Sequence, residues 1–415
     1  MPMDNRDRRY DTAGIDTGKY RVAEEKQRPP AKEFRPHRVP RWVYRVILIL
    51  ALSALAVLAW YNRSNLTPSN ILQWVQSRVV GFGVGDGFPQ TVAGSSVSPG
   101  NFIVSEKNLF AASDTGLTVY NSTAKELLSF QHSFSNPVLK VNGSRTLLYN
   151  LGGKSFRLDS VSGKTKQVNV QQNILAGALA PNGRCALLTE ADGYCGLLTV
   201  YNAEGGVQSY YWFYDYYPDA VALNADGTQA AVAGVSAKGG ELVSAVYLLD
   251  LNSGKTVQPF ATYPGNMIHA VFWDSSSTVA AVGDTGTSVI NTASRTKKDF
   301  DYNGEQLSAY CSDSGRTALA LASYGETSVS NLIVLDQNGG EVFSRQLGGN
   351  VRSVSLYGQA AAALADGEAY FCSLADPGQA AKKVQAGSDA KAIALRDEGS
   401  AYLLGISEIR LLNNR

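Results

Sequence analysis

From residue 88 onward the chain is a succession of short apolar runs separated by turn signals, with almost no helical spacing. Runs such as ALLTE, LLTVYN, AVYLLDL and LIVLDQ are rich in β-branched and aromatic residues, which predicts strands. One turn recurs after the first strand of each unit: Lys107-Asn108, Asn142-Gly143, Pro181-Asn182-Gly183, Asp226-Gly227, Ser275-Ser276-Ser277, Asp313-Ser314-Gly315, Tyr357-Gly358 and Glu398-Gly399. A second follows downstream, as in Gly152-Gly153, Ala191-Asp192-Gly193 and Ala365-Asp366-Gly367. Asp-Gly and Gly-Gly reach positive φ at little cost, so these suit tight hairpins. A third turn, such as Ser162-Gly163-Lys164 or Asn338-Gly339-Gly340, joins the outer strands. Each unit is therefore a four-stranded meander.

Eight units start near residues 101, 138, 174, 219, 267, 306, 351 and 391. A period of about forty residues with four strands is that of a propeller, whereas leucine-rich, ankyrin and TPR repeats are shorter or helical. The expected fold class is all-β, an eight-bladed β-propeller over residues 88–415, with a seven-bladed ring carrying one degenerate unit as the alternative. The last unit has room for only three strands, which would leave an open edge. Residues 88–93 (FPQTVA) are a spare strand at the other end, and they are expected to close the ring.

The pattern before residue 88 is different. Residues 1–41 are polar, basic and proline-rich, and cannot bury a core, so a disordered cytoplasmic tail is expected. Residues 42–61 (WVYRVILILALSALAVLAWY) would span about 30 Å as a helix, the thickness of a bilayer core, with Trp42, Tyr44, Trp60 and Tyr61 at the two ends. This predicts a transmembrane helix in contact with membrane lipid. A cleaved signal peptide is the competing reading, against which stand the long stretch before the apolar run and the placement of Ala54 and Ala56 inside it. Arg35, Arg38, Arg41 and Arg45 precede or begin the helix and only Arg63 and Arg78 follow closely, so the N-terminus is expected in the cytoplasm and the propeller outside it, at the cell membrane. Residues 62–87 read as a short amphipathic helix with Ile71, Leu72, Val75 and Val79 on one side, then a flexible joint at glycines 81, 83, 85 and 87.

An extracytoplasmic domain would allow Cys185, Cys195, Cys311 and Cys372 to form disulfides. With the hairpin turn at residues 191–193, Cys195 would face Thr189 and Cys185 would face Thr199, leaving the two thiols roughly 13 Å apart. Buried free thiols are the preferred reading.

The stretch from the apolar helix through GFGVGDGFP, the first blades and YYWFYDYYPDA resembles a family of single-pass proteins of Gram-positive anaerobic bacteria known as a domain of unknown function. The propeller is also similar to WD40-like and quinoprotein-like folds, with DLNSGK (residues 250–255) and DSVSGK (residues 159–164) resembling the quinoprotein third-strand turn; GH…WD pairs and regular docking tryptophans are missing. The resemblance implies a fold and a location, not an activity.

Composition narrows the chemistry. A formal net charge of +1 offers no general reason for nucleic-acid binding. Three histidines, with His37 on the cytoplasmic side, leave little for metal or acid/base constellations, and HExxH, GxSxG, P-loop and CxxC patterns are all missing. No catalytic, cofactor-binding or metal-binding residue is therefore assigned, and no cofactor is expected. One segment rises above the background: residues 210–219 (YYWFYDYYPD) hold seven aromatics and two carboxylates where the third unit returns to the fourth. The matching connections carry Phe134, Tyr263 and Tyr302, and in a propeller all such connections share one face. Phe134, Tyr214, Tyr216, Tyr217, Tyr263 and Tyr302 are thus the candidate surface for an envelope protein or cell-wall glycan, since aromatics there give rigid amphipathic contact area. The alternatives are a propeller enzyme (hydrolase, lyase or oxidoreductase) with its site in the central funnel, and a transmembrane sensor. The funnel would need convergent polar groups, whereas AGALA, DAVAL and AIAL are mainly apolar.

Overall fold

The structure is a computed structural model describing residues 41–61, 83–253, 258–273, 275–325 and 328–414. The tail and the helix expected around residues 69–80 lie outside the described residues.

Thirty-two strands form eight four-stranded antiparallel sheets. Each of the first seven sheets is built from four consecutive strands, as a meander of short hairpins requires. The innermost strands are Val97–Ser105, Pro137–Asn142, Ile174–Leu179, Tyr217–Leu223, Ile268–Phe272, Gln306–Asp313, Val351–Tyr357 and Ala392–Asp397, opening blades 1 to 8. Strands within a blade are called a to d from the innermost outward. Expected and observed blade starts agree within a few residues, because the turns that punctuate the repeat need residues tolerant of positive φ: Gly143, Gly183, Gly227, Gly315 and Gly358 all adopt it after a strand a.

Blade 8 takes its fourth strand from the start of the domain. Gln90–Thr91 pairs antiparallel with Glu408–Asn413, with Gln90 opposite Ile409 and Thr91 opposite Glu408. Val92 N donates to Ser407 O at 3.0 Å, and the Phe88 ring lies 5.0 Å from that of Tyr402. Val92, Phe102 and Tyr120 share a buried cluster with Ala392, Tyr402 and Ile409, so both ends of the domain meet in one core.

Core material sits between blades. One cluster joins Leu188, Leu198 and Val200 of blade 3 to Val232, Tyr247 and Leu249 of blade 4, and comparable clusters join blades 6 and 7. Each fully buried Leu, Val or Phe there contributes about 1.5–3 kcal/mol. Polar side chains pin successive blades into register: Asn101 Oδ1 accepts from Leu139 N at 2.9 Å and Ser355 Oγ from Leu395 N at 2.9 Å between inner strands, and Ser244 Oγ on strand c of blade 4 accepts from Ile268 N at 3.1 Å.

Two expectations change, and a third is met in part. The stretch at residues 83–87 is fastened, not free: Asn121 Nδ2 donates to Gly83 O at 3.0 Å, and Gly85 N donates to Thr123 Oγ1 at 3.0 Å. A Cβ at Gly85 would lie 2.2 Å from the backbone nitrogen of Lys125, so glycine serves close approach there. The blade 3 hairpin pairs Cys185 with Tyr201 and Thr189 with Leu197, two residues away from the expected register, because its loop runs through Cys195. None of the four cysteines forms a disulfide; Cys185 and Cys372 are buried, which pushes their thiols up, while Cys195 and Cys311 are half-buried. Finally, residues 41–61 do form one helix, Arg41–Tyr61, yet among the described residues no helix is long and apolar enough to cross a membrane, and the side chains at 55, 56 and 58–61 lie outside that description.

Candidate functional site

Strand d of blade 3, Val207–Phe213, alternates two sets of aromatic side chains. Tyr211 and Phe213 turn into the core shared with blade 4, where the Phe213 ring lies 5.2 Å from that of Tyr247. Tyr210 and Trp212 turn the other way and stay 54% and 44% exposed, which matters because a strand-d aromatic of no use to packing would ordinarily be polar. Cross-strand neighbours place them on one face: Tyr210 is opposite Thr199 and Trp212 opposite Leu197.

The loop between strands b and c of blade 3 stands beside them. Gly193 (φ +78°) turns it back, and Tyr194 then lies 4.5 Å from Trp212 and 5.0 Å from Tyr214, ring centre to ring centre. Cys195 anchors the arrangement, its Sγ donating to Tyr214 O at 3.1 Å. Trp212, Tyr194 and Tyr214 thus form a continuous exposed ridge, with Tyr217 also exposed at the start of blade 4. Blade 4 contributes a long hairpin: its strands b and c, Gln229–Lys238 and Glu241–Asp250, pair over ten positions, whereas strand d meets only residues 243–246.

A groove of about 380 Å³ opens between the outer parts of blades 2 and 3, lined by Gln172, Glu190, Asp192, Thr199, Tyr210 and Trp212 among others. Gln172 Nε2 donates to Asp192 Oδ2 across it at 3.0 Å, and Asn173 Nδ2 donates to Glu190 Oε2 at 2.9 Å at the neighbouring strand ends. No Lys, Arg or His is among the described residues that line it.

The six-residue aromatic surface is not assembled. Tyr214 and Tyr217 are exposed as expected, but Phe134, Tyr216, Tyr263 and Tyr302 are buried. The connections share a face, but their side chains fold back to seal the gaps between blades. Tyr263 donates to Ser288 Oγ at 3.0 Å, the Tyr302 hydroxyl pairs with Thr287 Oγ1 at 2.6 Å, Phe134 stacks on His132 at 5.2 Å, and Tyr216 joins the cluster between blades 3 and 4. Tyr194 and Trp212 were missed as site residues, although the exposed parity of Trp212 was readable from the alternation of strand d.

The axis also departs from expectation. A cavity of about 830 Å³ between the inner strands of blades 1, 6, 7 and 8 is lined by Tyr310, Asp313, Arg352 and serines as well as apolar residues. Burial raises Asp313 and Tyr310 and lowers Lys140, whose side chain is exposed yet ringed by protein. Asp219 opens the DAVAL run; its Oδ1 is buried without a hydrogen-bond partner, and desolvation raises its carboxyl to about 6. Among the described residues no cluster of three or more His, Cys, Asp or Glu side chains is placed to hold a metal ion.

Comparison with known proteins adds the lineage. A family of unknown function (DUF5711) matches residues 90–404, most of the chain. The protein belongs to this family. No curated protein matches it. Among solved structures, apo AztD from Citrobacter koseri superposes with a TM-score of 0.51 at 9% identity, covering 70% of this chain and 85% of that one. BamB from Moraxella catarrhalis gives 0.49 at 10% identity, covering 79% and 100%, and the hydrazine synthase of Kuenenia stuttgartiensis gives 0.43 at 14%, covering 66% and 93%. At 9% identity the likeness to AztD extends to the fold alone.

Proposed function

We propose that this member of the family is a membrane-anchored, non-catalytic binding module, held at the cell membrane by residues 42–61 with its propeller outside the cytoplasm, and that its aromatic ridge engages a component of the cell envelope. The observation that carries the binding part is the run of exposed, mutually packed rings Trp212, Tyr194 and Tyr214 on a blade whose buried face is already complete. Packed rings lose little conformational entropy on binding, and they leave a patch that water tolerates poorly unless it is covered some of the time. Anchoring is supported by the sequence: residues 42–61 contain one charge, Arg45, near the end where arginines accumulate.

Two measurements test the proposal. A cysteine label placed after Arg415 should react from outside the cell and one before Asp11 should be protected; reversed labelling removes the extracytoplasmic reading. Trp212→Ala and Tyr214→Ala should each retain the melting temperature and lose capture of envelope material, and undiminished capture by both folded variants removes the ridge from function.

A second reading, chemistry among the inner strands, is favoured by Asp219, an inner-strand carboxyl with a buried Oδ1 that has no hydrogen-bond partner and whose proton affinity burial raises. Turnover lost in Asp219→Asn with the ridge intact would support it over binding alone.

A further inference from the structure

The groove between blades 2 and 3 has a chemistry of its own. Its two exposed aromatic side chains, Tyr210 and Trp212, sit at alternate positions of one strand, about 7 Å apart along the chain direction, and face the same way. Flat rings in that array offer stacking to the C–H faces of a pyranose. The rim complements this with acceptors: Glu190 and Asp192 each spend one oxygen on an amide, that of Asn173 and that of Gln172, which leaves Oε1 and Oδ1 for donors on a ligand. With two carboxylates and no cation among its described lining residues, the groove repels phosphate- and carboxylate-bearing polymers.

Resting on the binding reading above, we propose that this groove is a saccharide site for hexosamine units, with sugar rings stacked on Tyr210 and Trp212 and amino or acetamido N–H and hydroxyl groups donating to Glu190 and Asp192. Tyr194, packed against Trp212 at 4.5 Å, is a positioning residue that fixes the plane of the indole. The Gln172 to Asp192 bond across the rim sets the groove's width before a ligand arrives, so little ordering remains to be done on binding.

The test uses the full chain in detergent micelles, titrated with N-acetylated and de-acetylated hexosamine tetrasaccharides and, as the anionic control, a uronic-acid tetrasaccharide, with heat and tryptophan fluorescence as readouts. Both hexosamine probes should bind, and the uronic-acid probe should not. Trp212→Ala and Tyr210→Ala should each weaken binding roughly tenfold or more, while Trp212→Tyr retains most of it. Asp192→Asn should weaken the de-acetylated probe more than the acetylated one, since only the former places a positive charge against the carboxylate. Tyr324→Ala, an exposed tyrosine elsewhere, should change nothing. The proposal is overturned if neither hexosamine binds to folded protein, if binding is indifferent to Trp212, or if the uronic-acid probe binds best. Trp212-dependent capture of envelope protein without saccharide binding would sink the saccharide site and leave the binding reading standing; capture indifferent to Trp212 and Tyr214 would sink both.

Discussion

Strand d of blade 3 and strand d of blade 7 occupy the same place in the repeat and present opposite surfaces. Lys382–Gln385 of blade 7 begins with two exposed lysines, and Lys383 Nζ reaches Glu368 Oε2 at 3.1 Å. Blade 5 does likewise with Lys297, Lys298, Asp299 and Asp301 in Thr296–Asp301. Charges on an outermost strand keep its unpaired backbone groups from recruiting another chain. Blade 3 has Tyr210 and Trp212 in that row instead, while its inward side chains, Tyr211 and Phe213, are buried in the core shared with blade 4. The fold therefore asks nothing unusual of blade 3. Its outer face is where protection against association has been given up, and a surface left that way is explained by something that covers it.

The largest effect expected from disturbing this contrast is at the ring closure, which could be made into a second unprotected edge. Removing residues 88–93 would uncover Ser407, Glu408 and Ile409 and lose the packing of Phe88 and Val92 together with the short ladder, about 5 kcal/mol in all. Chemical denaturation should show the loss, and light scattering should show association through the new edge. A deletion that unfolds like the parent would mean that the strand is ornamental.

Next in size is the split between the two faces of one strand. Phe213→Ala should cost about 3–5 kcal/mol, because it opens a cavity against Tyr247, whereas Trp212→Ala next to it should cost under about 1 kcal/mol. Equal costs at the two positions would mean that Trp212 is structural and the contrast between blades is one of packing.

A third effect separates the groove from the axis. Asp219 titrates from an ordinary 3.8 up to about 6 because burial penalises its charged form. A folded-state value above the unfolded one means that its contribution is most favourable below about pH 4 and is lost as pH rises through about 6. Above that, the buried charge opposes folding by roughly 3 kcal/mol at most. Asp219→Asn should therefore raise stability near pH 7.5 by roughly 2 kcal/mol and flatten the pH dependence between about 4 and 6, without touching ridge binding. A variant no more stable at pH 7.5 than the parent would show that Asp219 is solvated in the folded protein.

How much of this was legible depends on where each signal resides. Blade number, blade starts and ring closure are written locally, in turns whose backbone conformation only a few residue types accept and in a spare strand that has one place to go. The register of the blade 3 hairpin was misread by two residues because Ala191-Asp192-Gly193 looks like a complete turn, while the loop runs on to include Tyr194 and Cys195. The site was half legible. That connections share a face is a property of the topology, but whether Tyr216, Tyr263 or Tyr302 points outward depends on gaps between blades, and gaps are filled by side chains distant in sequence such as Tyr247, Ser288 and Thr287. Trp212 could have been found, since the alternation along VQSYYWF places it opposite to the buried Tyr211 and Phe213.

The smallest effect on stability makes the sharpest test of the contrast, and it is an exchange. Trp212→Lys writes the blade 7 pattern into blade 3, and Lys383→Trp writes the blade 3 pattern into blade 7. Both positions are exposed on an outer strand, so each substitution should shift stability by no more than about 0.5 kcal/mol. If exposed aromatics on an edge invite association wherever they occur, Lys383→Trp should self-associate in sedimentation while Trp212→Lys becomes more soluble than the parent. If the aromatic row of blade 3 works only in its setting, with Tyr194 behind it and Glu190 and Asp192 on the rim, Lys383→Trp should gain no envelope capture and Trp212→Lys should lose it. Both outcomes are expected together, since stickiness belongs to the surface and selectivity to the groove. Capture transferred to blade 7 by the single tryptophan would show that an exposed ring is enough and that the walls around Trp212 select nothing.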